Sequence, residues 1–128
     1  MKNTYHNRRG IEYELFTAHI LFYFSQTKVG DMSPETKFRN DLIDELEQMF
    51  DGALVLKNDP EDIQGIPDLT VLLPNGKWAM LECKRERNAK HRPNQDFYVE
   101  KANAMSFASF IFPENKDEVL HELQQFVR

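Results

Sequence analysis

Residues 67–84 read PDLTVLLPNGKWAMLECK, and this stretch decides how the chain folds. Two apolar runs flank Pro74, Asn75 and Gly76, the signature of a β-hairpin. Asp68, Glu82 and Lys84 interrupt runs that otherwise belong in a core. A sheet interior does not accept such charges without a compensating partner.

The register of the hairpin decides whether the two acids meet. A two-residue Asn75-Gly76 turn would pair Leu73 with Trp78. Asp68 and Glu82 would then point to opposite faces, because side chains alternate along a strand. A three-residue loop, a type I turn closed by a left-handed residue, pairs Leu73 with Lys77 instead. Pro74 suits the start of that loop and Gly76 its end, so this register is preferred. Asp68 then faces Glu82 directly, with Thr70 and Lys84 on the same face and Leu69, Val71, Leu81 and Cys83 on the other. Directly opposed side chains have Cβ atoms about 5 Å apart, close enough for two carboxylates to bracket one cation. Magnesium takes hard oxygen ligands at about 2.1 Å and keeps several waters, which suits so small a donor set, and manganese should substitute. Without a cation the two carboxylates would repel and one would take up a proton. No arginine faces the pair in this register. The alternative is a surface cluster in which Lys84 pairs with the acids.

Outward from the hairpin, Ser33 reads as the N-cap and Pro34 as the first residue of a helix with Phe38, Leu42, Leu46 and Met49 on one stripe. Gly52 ends it, ALVLK follows as a strand, and NDPEDIQG is a loop. After the hairpin, Pro93 opens a helix to about Ser106, FASFIF is a strand, and ENKDEVLHELQQFV is an amphipathic helix. The class is α/β in the order α-β-β-β-α-β-α. Strands apolar on both faces, ALVL and FASFIF, imply a sheet covered by helices on both sides. Residues 1–31 read as an N-terminal extension, either an accessory helix over IEYELFTAHILFYFSQ or a non-native upstream segment, and residues 32–128 as the main domain.

A length of 128 residues suits one such domain, and 41% hydrophobic content is ordinary for a soluble globular protein. The single Cys83 rules out an internal disulfide and a cysteine-rich zinc site, and fits a reducing cytoplasm. HILFYF is too short to cross a bilayer and nothing resembles a signal peptide, so no membrane association is expected. The net charge of −5 argues at first against nucleic acid, but KRERNAKHR (84–92) carries a local +4 and leaves −9 for the rest. A basic run beside a candidate site can hold phosphates even in an acidic protein, and a solvated polar loop is the equal alternative on this feature alone.

Ile66-Pro67-Asp68 followed by Glu82-Cys83-Lys84 resembles the signature of the PD-(D/E)XK nuclease superfamily. Its restriction-endonuclease-like αβββαβ core carries the motif on the second and third strands, and this chain has that order. Within the superfamily, residues 32–128 look most like the stand-alone virus-type replication-repair (VRR-NUC) nucleases and the Holliday-junction resolvases. QGIPDL and LECK followed by PNQ have the look of a phage or prophage member. Residues 1–31 fall outside the resemblance.

The resemblance implies a magnesium-dependent deoxyribonuclease. Asp68 and Glu82 would ligate the metal, joined by the backbone carbonyl of Cys83, and Lys84 would orient or activate the attacking water and offset phosphate charge. Many members add an acid from the first helix. Glu35 fits, lying on the Phe38 and Leu42 face, although an acid in a first helical turn is also favoured by the helix dipole. The family often carries a glutamine on the helix after the motif, which Gln95 matches. Arg85, Arg87, Lys90, His91, Arg92 and Gln95 are the expected nucleic-acid contacts. Cys83 points to the apolar face and is not read as a nucleophile; Trp78 and Phe97 read as core.

The expected function is a structure-selective endonuclease for double-stranded or branched DNA in replication or recombination. A homodimer is expected because one minimal domain has one site and resolving a branch takes two cuts. The alternatives are a restriction-like or end-processing nuclease, and a nuclease-fold module that binds DNA or a partner without cutting.

Overall fold

The computed structural model describes residues 4–6, 12–14 and 32–128. The chain divides into two compact units, Met1–Met32 and Ser33–Arg128. In the first, strands β1 (Thr4–His6) and β2 (Glu12–Glu14) pair antiparallel, with Tyr5 opposite Tyr13. The helix expected from residue 11 is therefore corrected at its start: residues 12–14 are extended. Helix propensity is a weak prior, and a partner strand within hairpin reach overrides it. The remainder of that expected helix lies outside the described residues.

The second unit is α/β, a four-stranded mixed sheet with three helices. Helix α1 (Pro34–Met49) starts where Ser33 accepts a hydrogen bond from the Thr36 N–H at 3.2 Å. Strand β3 (Leu54–Lys57) pairs antiparallel with β4 (Leu69–Leu72), and β4 with β5 (Trp78–Cys83). Helix α2 (Gln95–Met105) crosses over to β6 (Phe107–Ile111), which lies parallel to β5, and α3 (Lys116–Val127) follows. The sheet order is β3-β4-β5-β6.

The hairpin adopts the three-residue loop. The Leu73 N–H donates to the Lys77 carbonyl at 2.9 Å, Leu69 stands opposite Leu81, and Gly76 takes the left-handed φ of 80°. Only glycine adopts that conformation cheaply, so Gly76 fixes the register and with it the face of every hairpin side chain.

One face of the sheet carries Val55, Leu69, Val71, Leu81, Cys83 and Ile111, buried with Leu42, Ile43 and Leu46 of α1 and Val119, Leu120 and Leu123 of α3. The other face is covered by α2 over β5 and β6, where Val99 and Ala102 meet Ala108, Met80 and Trp78. There the expectation of full cover on both sides is corrected. Leu54 is 55% exposed, and Leu56 and Leu72 are exposed as well. Helix α2 joins the parallel strands β5 and β6 and, about 10 Å wide, covers those two, so among the described residues no helix covers β3 and β4 on this face. Phe97, expected in the core, is also 57% exposed, with Lys101 over its ring.

No helix among the described residues is long and apolar enough to cross a membrane.

Candidate metal and phosphate site

Asp68 lies immediately before β4, opposite Glu82 near the end of β5. The Asp68 N–H donates to Glu82 Oε2 at 3.1 Å, and the Cys83 N–H donates to Asp68 Oδ2 at 2.9 Å. Each carboxylate is thus held by the main chain of the facing strand. The Asn58 N–H donates to the Asp68 carbonyl at 2.8 Å, and the Asn58 side chain bonds the Pro67 carbonyl at 2.8 Å and Thr70 Oγ1 at 2.9 Å. Asn58 therefore fixes the backbone that carries Asp68. Because N–H and C=O of one strand residue point to the same side, the Cys83 carbonyl turns toward Asp68 along with its N–H.

Glu35, in the first turn of α1, completes a group of three carboxylates. One oxygen from each of Glu35, Asp68 and Glu82 lies within 4.8 Å of the others. Ligands about 2.1 Å from magnesium lie roughly 3–4 Å apart, so small side-chain rotations bring this set into range. The charge state also fits a cation. Burial first and the Asp68 charge second push the Glu82 carboxyl up from 4.5 to about 8, against the opposing pull of Lys84. A divalent ion would supply the positive charge that a buried carboxylate beside a second acid lacks.

Lys84 is 4% exposed, with its Nζ 3.8 Å from Glu82 Oε1. It donates to Gln95 Oε1 at 2.6 Å and to the Lys90 carbonyl at 3.3 Å. Gln95 in turn donates through Nε2 to Glu82 Oε1 at 2.7 Å and accepts from the Arg92 N–H at 2.8 Å. At 7% exposure, Gln95 braces Lys84 against Glu82 and borders the cleft that holds the three carboxylates. It reaches that place because α2 begins there, after Asn94 takes a left-handed φ of 70°. Gly65, at φ 89°, allows the loop before Asp68 to touch this turn. A Cβ on Gly65 would stand 2.6 Å from Asn94 Cβ and 2.8 Å from the Pro93 carbonyl oxygen.

The basic run divides. Lys84, Arg85, Lys90, His91 and Arg92 line a cleft of about 400 Å³ together with Glu35. Within it, His91 stacks on Phe110 at 4.1 Å, and its Nδ1 lies 2.7 Å from Asp96 Oδ1. Arg87 is not brought to that cleft. Its guanidinium sits 5.6 Å from the Phe112 ring, and its N–H donates to Glu114 at 2.6 Å.

Comparison with protein-family models, curated proteins and solved structures finds no match to this chain.

Two participants were not singled out from the sequence. Asn58 had no motif to mark it. Arg39 sits with NH1 3.9 Å from Asp68 Oδ1, which corrects the expectation that no arginine faces the acids. Its spacing of one turn from Glu35 was the signal available. Cys83 is fully buried, and burial followed by the Asp68 and Glu82 charges raises its thiol far above the ordinary range, so it is inert as a nucleophile.

Proposed function

We propose that this chain is a magnesium-dependent phosphodiesterase acting on DNA, built on a restriction-endonuclease-like core of the PD-(D/E)XK kind. The observation that carries this reading is the convergence of Glu35 from α1, Asp68 from the residue before β4 and Glu82 from β5 beside a buried Lys84. A binding surface has no need to bury an ammonium group and brace it with Gln95.

Glu35, Asp68, Glu82 and the Cys83 carbonyl would hold the ion. The bound ion supplies Lewis acidity toward a phosphoryl oxygen and lowers the pKa of water. Lys84, fixed by Gln95, donates toward the phosphate and offsets the charge that builds on its oxygens. Arg85, Lys90, His91 and Arg92 supply a cleft for the adjoining backbone. The favoured role is a structure-selective endonuclease of replication or recombination, working as a homodimer so that two sites make the two cuts a branch requires. Leu54, Leu56 and Leu72 offer a second copy an apolar surface to bury.

A second reading has one observation in its favour. Arg39 near Asp68 supplies a protein cation to the acids, as a DNA-binding module without metal would need. Incubation with duplex, flap, fork and four-way-junction DNA, with magnesium and with EDTA, separates the two. Magnesium-dependent cleavage supports the enzyme; binding without cleavage on every substrate supports the module.

A further inference from the structure

We propose that Arg39 is a substrate-phosphate ligand of this site, and that its guanidinium leaves Asp68 for a DNA phosphate when a divalent cation takes that carboxylate. The inference rests on the nuclease reading and says how the chain grips its substrate on the side away from Lys84.

Three observations carry it. Arg39 NH1 stands 3.9 Å from Asp68 Oδ1, an ion pair too long to be a hydrogen bond. Arg39 Nε is buried without a hydrogen-bond partner. A guanidinium has five donors in a planar fork, and a buried donor left unpaired is costly, so this one is underused where it stands. The third is placement. Arg39 lines a cleft of about 410 Å³ with Ser33, Thr36, Gln64, Arg92 and the three carboxylates.

That cleft shares Glu35, Arg92 and Pro93 with the cleft holding Lys84 and Lys90. A strand laid across the carboxylates would therefore meet cations on both sides, Lys84 and Lys90 on one and Arg39 on the other. The forked guanidinium matches two phosphate oxygens at once, which a point-like ammonium does not. The exchange follows from charge. Arg39 and a divalent cation both seek Asp68, so each weakens the other's hold on it, and the ion frees the guanidinium for the incoming phosphate.

The test uses the full chain and two measurements. Magnesium alone is titrated calorimetrically into wild type and Arg39→Gln. A short DNA duplex is then titrated in magnesium at several salt concentrations into Lys84→Ala and Lys84→Ala/Arg39→Gln, where cleavage is blocked. The expected result is tighter magnesium binding in Arg39→Gln, and an unchanged affinity would overturn the exchange. DNA affinity should fall about tenfold. The salt slope should drop by about one, with Arg39→Lys recovering part of the affinity. An unchanged DNA affinity and slope would overturn the phosphate role. Loss of magnesium binding in Arg39→Gln would show that Arg39 only supports the carboxylates, and would overturn it too. Failure of the nuclease reading looks different: wild type itself gives no magnesium heat and no cleavage, and the exchange falls with it.

Discussion

Asp68 and Glu82 are clasped across the hairpin, each carboxylate accepting a hydrogen bond from the main chain of the other's strand, at 3.1 and 2.9 Å. Opposed acids ordinarily repel. Here the repulsion is offset by backbone donors that would otherwise be orphaned at the sheet's end, so the two carboxylates stay side by side.

Magnesium or manganese should bind to this pair and stabilise the fold, by about 2.7 kcal/mol at a concentration of 100 Kd. Asp68→Asn keeps an acceptor for the Cys83 N–H while removing the charge. It should weaken magnesium binding at least tenfold in a calorimetric titration, and equal heats in both proteins would remove the metal site.

The raised Glu82 carboxyl gives a pH dependence with a definite sign. Its folded pKa of about 8 lies above the ordinary 4.5, so its contribution to stability is complete below pH 4.5 and lost as pH rises through about 8. Glu82→Gln, neutral at every pH, should gain on wild type between those limits, by an amount on the order of a few kcal/mol. Thermal unfolding in EDTA at pH 5 and pH 9 reads this directly. Added magnesium should restore wild type at the higher pH, and a difference that does not move with pH would count against the buried charge.

Gln95 links acid and base. Gln95→Ala leaves Lys84 and Glu82 each short of a buried partner, which should cost about 1–3 kcal/mol of stability. Cleavage in single turnover should slow by about 10- to 100-fold with DNA affinity little changed, since the side-chain bonds of Gln95 go to Lys84 and Glu82. A stability loss with an undiminished cleavage rate would mark Gln95 as purely structural.

The basic run should act through the part that faces the cleft. Neutralising Lys90 and Arg92 together should weaken DNA binding across sequences and lower its salt slope by about two. Arg87→Gln should change neither, because Arg87 lies over Phe112. If Arg87 proves equal to the other two, the DNA runs elsewhere.

Gly65 and Gly76 offer a contrast between crowding and strain. Both have φ near 80–90°, but a Cβ at Gly76 meets nothing within 4 Å, while one at Gly65 strikes Asn94 and Pro93. Gly76→Ala should cost about 1 kcal/mol. Gly65→Ala should cost more and also weaken magnesium binding, because it pushes the Asp68 loop away from the start of α2. Denaturant melts and metal titration of both variants test this, and equal effects would contradict it.

The sequence by itself determined what lies close along the chain. Ser33 and Pro34 start α1 through a hydrogen bond three residues long, and Pro74 to Gly76 fix a register that carries Asp68 to Glu82. Those features answer to turn sterics and side-chain alternation, which few other residues can override. Only the tertiary structure decided what meets across elements. It set Arg39 of α1 beside Asp68, wedged Gln95 between Lys84 and Glu82, turned Arg87 onto Phe112, and left Leu54, Leu56 and Leu72 outside the reach of α2. It also made residues 12–14 a strand, where the sequence pattern read as helix. Such contacts depend on how far each helix extends over the sheet and which neighbour it meets, and no local spacing encodes that.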